Sequence, residues 1–110
     1  MTVKELADRL SLTPINIDDE SREIQGAYTG DLLSWVMGRA KSGNVWVTIM
    51  SNINVIAVAT LCDVSMVILS EDSRLDNDAL VKAKNQGINV YTSNKTSYEL
   101  CAEIGLLLKI

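Results

Sequence analysis

Two short apolar runs, Val45-Trp-Val-Thr-Ile-Met50 and Met66-Val-Ile-Leu69, constrain this chain more than any other feature. Each is too short for a globular helix and too continuously apolar for a strand with one wet face. Each therefore predicts a β-strand covered on both sides. Between them, Val55 to Cys62 is apolar apart from Thr60 and reads as a buried helix. Strand, buried helix, strand is the unit of a parallel sheet layered with helices, and Val45–Met50 is expected to be its central strand.

The rest of the chain keeps that rhythm. Thr2 stands three residues before Glu5 and directly ahead of Val3, Leu6, Ala7 and Leu10, a capping box that opens a helix over 3–10. Pro14 cannot continue a helix, and Ile15 and Ile17 alternate with Asn16, which predicts a short half-buried strand; a second is expected over Glu23 to Tyr28. Gly30 and Asp31 open a second helix, in which Leu32 and Val36, and Leu33 and Met37, lie four apart, and which closes at Lys41, Ser42 and Gly43. A helix from about Asp76 to Gln86 ends at Gly87, a strand runs from Ile88 to Tyr91, and a last helix begins at Ser97. With 110 residues, 47% of them apolar, the chain suits one core and a single domain over 1–110. The expected fold class is α/β, a three-layer α/β/α sandwich around a mainly parallel or mixed sheet of about five strands.

Composition removes much chemistry. The chain has no histidine, which excludes His-dependent triads, imidazole acid/base catalysis and zinc sites that use imidazole. A net charge of −4 without a basic block argues against nucleic acid as a partner. No apolar run approaches the roughly 18 residues of a membrane span, and Glu5 and Asp8 interrupt the start, so no membrane partner and a cytoplasmic location are expected. Cys62 and Cys101 match neither a CxxC pair nor a close zinc-ligand pair and are expected to be reduced core thiols.

Several motifs resolve into plainer features. Gly38 and Gly43 have P-loop spacing, but Asn44 and Val45 stand where Lys and Ser/Thr are needed, and the order is helix to strand rather than strand to helix. Gly26-Ala-Tyr-Thr-Gly30 reads as a tight strand-to-helix turn, with Asp31 in the first helical turn occupying the field an anion would use. Glu71, Asp72, Asp76 and Asp78 lack the glycine and closing Glu of a calcium loop and read as helix-capping carboxylates, so neither metal nor cofactor is expected. The expected carboxyl ends of the parallel strands carry Ser51, Asn52 and Asn54, then Ser70, then Thr92 and Ser93 with Asn94 and Thr96. Open α/β sheets bind ligands at such ends, although the same residue types also cap helices and form turns. No histidine activates any of them, and Lys95 is the only nearby base. Leu33, Trp35 and Met37 in the second helix, with Leu107 and Leu108 in the last, exceed what one sheet face can cover and are expected to line a homodimer interface.

Gly26-Ala-Tyr-Thr-Gly-Asp-Leu-Leu33, Val45-Trp-Val-Thr48, the Val55 to Leu61 helix, Met66-Val-Ile-Leu69 and Ala83-Lys-Asn-Gln-Gly-Ile-Asn-Val90, followed by Thr92 and Tyr98, together resemble the DRTGG domain family nearly end to end. The resemblance implies a fold related to the N-terminal domain of HPr kinase/phosphorylase. It also implies kinship with accessory modules of some phosphotransacetylases and of pyrophosphatases that carry cystathionine-β-synthase-type domains. Such modules contribute to oligomerisation or regulation while another domain does the chemistry. The family's eponymous Asp-Arg falls on Ser51-Asn52 and its Thr-Gly-Gly on Ser70-Glu71-Asp72, so both are replaced in this chain. The resemblance thus implies a stand-alone, non-catalytic regulatory or dimerisation domain, acting as a homodimer or on an unidentified protein partner. The alternative is a sensor that binds a small metabolite or nucleotide at the strand ends.

Overall fold

The computed structural model describes residues 1–110. The elements run α1 (Val3–Arg9), β1 (Thr13–Asn16), β2 (Ala27–Thr29), α2 (Leu33–Arg39), β3 (Val45–Thr48), α3 (Ile53–Cys62), β4 (Met66–Leu69), α4 (Asn77–Gln86), β5 (Val90–Thr92) and α5 (Ser97–Leu108). They build one five-stranded sheet in the order β1-β5-β4-β3-β2. Strands β2 to β5 are parallel and β1 is antiparallel to β5.

Alternation along the interior strands sorts their side chains into two apolar layers. Trp46, Val67, Leu69 and Val90 pack with Val36 of α2, Val55, Ile56 and Ala59 of α3, and Ala79 and Ala83 of α4. Val45, Val47, Met66, Ile68 and Tyr91 pack with Val3 and Leu6 of α1 and Leu100 and Ile104 of α5. Burying an aliphatic side chain of this size stabilises by about 1.5–3 kcal/mol, and the expected three-layer sandwich is the arrangement that hides both sets at once. The helix starts at either end of the chain are fastened as their residues dictate. Thr2 with Glu5 and Thr96 with Glu99 both complete capping boxes, which hold the two glutamate carboxyls below their usual range.

The structure departs from the sequence reading at several element ends. The central strand is β4, with β3 one place off centre; all four residues of each are buried, so burial pattern alone could not rank them. Strand β2 begins at Ala27 because Gly26 takes a left-handed φ of +77°, while Glu23 makes only an isolated bridge to Thr2. Strand β1 includes Pro14 and ends before Ile17, since an edge strand tolerates a residue without an N–H. Strand β5 starts at Val90, because the Ile88 N–H is used to close the end of α4 on the Ala83 carbonyl. Helix α3 is not covered all round: Leu61 is 70% exposed.

Candidate functional site

The connections that follow β2, β3 and β4 all pass over one face of the sheet, as α2, α3 and α4, whereas the one that follows β5 crosses to the other face as α5. Only between β4 and β5 do the loops leaving neighbouring parallel strands part to opposite faces. That divergence is where an open α/β sheet offers a crevice. It divides the six candidate ligand residues. Ser70, Thr92 and Ser93 stand at the β4–β5 divergence, while Ser51, Asn52 and Asn54 follow β3, whose connection turns the same way as that of β4.

The divergence is drawn shut by its own groups. The Glu71 N–H donates to the Lys95 carbonyl and the Asp72 N–H to the Ser93 carbonyl, both at 2.8 Å, so the two loops are joined by main-chain bonds. Beneath them the fully buried Ser70 places its Oγ 2.6 Å from the Ser97 Oγ. Thr92 donates its hydroxyl to the Ser73 carbonyl at 2.7 Å, and the Ser93 Oγ accepts the Lys95 N–H at 3.1 Å. Open space lies instead on the β1 side. There Ser11, Thr13, Asp72, Arg74, Thr92, Ser93 and Asn94 line a wholly polar hollow of about 300 Å³. The Asp72–Arg74 pair at 3.2 Å balances its charge, so the hollow offers hydroxyls, an amide and one neutralised ion pair.

The polar residues after β3 serve the backbone. Asn52 caps α3 by accepting the Asn54 N–H at 2.9 Å, the Ser51 carbonyl accepts the Asp76 N–H at 3.1 Å, and Asn54 itself is exposed. Asp31 is not in the first turn of α2. Its carboxylate reaches the end of β3, accepting the Thr48 hydroxyl at 2.8 Å and the Ile49 N–H at 3.0 Å. The stretch between Gly26 and Gly30 is strand β2 itself rather than a turn, because its pairing with β3 outweighs the glycines on either side. Of the acidic residues, Asp76 occupies the α4 cap position without a side-chain cap bond, and Asp78 accepts the Ala79 N–H at 2.8 Å. No group of three or more Cys, Asp or Glu side chains converges as metal ligands would.

The chemistry within reach is limited. The Lys95 amine, nearest to the serines in sequence, is held by both oxygens of Glu103 at 3.0 and 2.9 Å. Burial pushes the Cys62 thiol up, away from the reactive thiolate. Cys101 departs from the expected core position. It is half-buried and lines a hollow beside β2, on the opposite face of the sheet from Cys62.

The expected interface residues also separate. Trp35 is 54% exposed, with the Arg39 guanidinium 3.9 Å from its ring centroid, and Met37 is 48% exposed. Leu33 packs against the layer beneath α2. Leu107 and Leu108 are half-buried against the opposite layer, Leu107 on the flank toward α1 with Arg9, Leu10 and Leu106.

The fold has a solved counterpart. The CBS and DRTGG domains of the regulatory region of Clostridium perfringens pyrophosphatase, solved in complex with the activator diadenosine tetraphosphate, superpose with a TM-score of 0.76 at 15% identity. The match covers 92% of this chain and 44% of that one, so the chain spans under half the length of its counterpart. No protein-family model matches the sequence, and no curated protein does. The likeness is one of fold. One detail of backbone shape accompanies it. Glu71 and Asp72, where the sequence resemblance puts a Gly-Gly pair, adopt φ of 57° and 60°, the left-handed region that glycine enters freely and other residues enter at a cost.

Sequence reasoning missed three residues at the other end of the sheet: Arg22, Asn44 and Asn89. Asn89 is 4% exposed and its side chain accepts the Asp18 N–H and donates to the Asp19 and Ser65 carbonyls. The available signal was an asparagine standing directly before a strand, at Asn44-Val45 and at Asn89-Val90.

Proposed function

We propose that this chain is a non-catalytic regulatory module that works by associating with a second copy of itself. One observation carries the reading. The short segment of α2 and its cap, next to the edge strand β2, leaves Leu32, Trp35 and Met37 each about half exposed or more. Exposed large apolar side chains concentrated in one short segment of a small domain mark an association surface. The non-catalytic reading is supported by a site whose serines lack a free base, and the regulatory reading by a fold shared with the regulatory region of a pyrophosphatase. Light scattering at micromolar concentration tests it: two copies per particle are expected, and Trp35→Glu is expected to shift the particle to one copy. A wild-type chain that is monomeric at every concentration removes the reading.

A second reading rests on the polar hollow beside β5. A small polar ligand rich in hydroxyl or amide groups would match its lining, and Arg74 is the exposed residue best placed to discriminate. A ligand at 100 times its dissociation constant stabilises by about 2.7 kcal/mol, so a thermal-shift panel of nucleotides, acyl phosphates and sugar phosphates detects it. The shift is expected to vanish in Arg74→Ala. No shift with any compound leaves the association module alone.

A further inference from the structure

The two edges of the sheet are built differently. Strand β1 carries Pro14, which has no N–H to offer, and its register against β5 shifts between Pro14 and Asn16. Proline and irregular pairing are devices that keep an edge from recruiting another strand. Strand β2 has neither. Ala27, Tyr28 and Thr29 pair with β3 in unbroken register, carry no charge, and make no main-chain hydrogen bond outside that ladder. The nearest carboxylate in sequence, Asp31, is folded back onto Thr48 and Ile49 and does not guard the edge. Both flanks of β2 are apolar. On one lies α2, with Trp35 half exposed and Leu32 exposed at its cap; on the other, a hollow of about 230 Å³ is lined by Ala27, Thr29, Cys101, Ile104 and Ile110.

We propose that β2 pairs with the β2 strand of a second copy, antiparallel about a twofold axis through Tyr28, joining the two sheets into one. This rests on the self-association reading above and names its geometry. Centring the register on Tyr28 pairs every residue of the strand: Ala27 meets Thr29, Gly26 meets Gly30, and Gln25 meets Asp31. No like charges face each other, which would destabilise the pair. The Tyr28 rings, on the same side of the sheet as Trp46, meet across the axis as an aromatic cross-strand pair. The same rotation brings α2 against α2 and the β2-facing flank of α5 against its counterpart, covering Trp35 on one face and the Cys101 hollow on the other. A foreign strand would satisfy the edge but leave both flanks bare. Because β1 is blunted, each copy has one usable edge, so pairing closes at two copies instead of running on as a filament.

Opposed residues in an antiparallel pair lie about 4.5–5.5 Å apart at Cα, within disulfide reach. The full chain carrying Ala27→Cys and Thr29→Cys in a Cys101→Ala background is therefore expected to form a covalent dimer under mild oxidation, seen on a non-reducing gel. Both new cysteines replace exposed residues, and circular dichroism confirms the fold. In parallel, Ala27→Lys is expected to raise the dimer dissociation constant at least tenfold while its circular dichroism spectrum stays that of the wild type. A dimer that survives Ala27→Lys and does not cross-link overturns edge pairing while leaving self-association standing. A chain monomeric in every variant and in the wild type overturns both. Open-ended oligomers overturn the closed twofold arrangement.

Discussion

At the end of the sheet where β2 to β5 begin, buried amides do the fastening; at the end where they finish, main-chain bonds and hydroxyls do it. Asn89 accepts the Asp18 N–H at 2.8 Å and donates to the Asp19 and Ser65 carbonyls at 2.8 and 3.0 Å. Asn44 accepts the Lys41 N–H at 2.9 Å and donates to the Gln25 carbonyl at 2.7 Å. Arg22 reaches the carbonyls of Val64 and Asp63 and pairs with the Asp63 carboxylate at 3.0 Å. Gly87 completes this end, for at its φ of +68° a Cβ would sit 3.1 Å from the Asp18 carboxylate. The opposite end holds its loops together through Glu71 and Asp72, both in the left-handed region. Satisfied buried amides rigidify, and left-handed non-glycine backbone, which is costly, occurs at Asp63 at the beginning end and at two successive residues at the finishing end.

That contrast is broken most directly at Asn89. Replacing it with alanine leaves the Asp18 N–H and two carbonyls without their partner in a site that is 4% exposed. The expected loss is about 3 kcal/mol, since each stranded buried group costs about 1–3 kcal/mol and some regain water. For a domain of this size that corresponds to a melting temperature lower by roughly 10–15 °C. Ser70→Ala at the other end removes a single hydroxyl pair and is expected to cost about 1 kcal/mol. Equal losses in the two melts would mean that the ends are fastened alike.

The layers were legible in the sequence because they rest on periodicity. Val45-Trp-Val-Thr48 and Met66-Val-Ile-Leu69 admit no helix and no wet face, and the capping box at Thr2 marks a helix start that no tertiary contact overrides. Strand order was not legible, since β3 and β4 are equally buried and only their neighbours distinguish them. The candidate site was half legible. Ser70, Thr92 and Ser93 could be placed at carboxyl ends of strands, but which ends matter depends on the face that each following helix takes, and α5 alone crosses over. The role of Asp31 escaped for a similar reason. Its partners, Thr48 and Ile49, are distant in sequence, and a carboxylate just ahead of a helix reads locally as a cap.

The strain assigned to the finishing end is open to direct measurement. With Glu71→Gly and Asp72→Gly together, the left-handed backbone loses its steric cost while the unfolded chain gains freedom, two effects of opposite sign. The first is the larger at about 1–2 kcal/mol per residue, against about 0.4–1 kcal/mol for the second, so the double variant is expected to be more stable by about 1 kcal/mol. Thermal melts against the wild type decide it. A destabilised variant would show that the two carboxylates contribute more to the loop than their backbone costs, and the finishing end would cease to be the more strained one.

The smallest effect separates the ends by pH. The Ser42 hydroxyl, and after it the Arg22 guanidinium, hold the Asp63 carboxyl below its ordinary 3.8. A folded-state value depressed in this way adds stability that is complete above the unfolded value and is lost as the pH falls through the folded one. The Asp63 contribution therefore begins to fall below about pH 4 and is constant near neutrality. The side chain is 61% exposed, so solvent screens the pair and the loss in Asp63→Asn at pH 7 is expected to stay under about 1 kcal/mol. Denaturant midpoints of wild type and variant should differ at pH 7 and draw together as the pH falls through the folded-state value, below which both carry a neutral group at this position. A constant gap across that range would mean that Asp63 fastens the beginning of the sheet through shape and hydrogen bonding alone, with its charge contributing nothing.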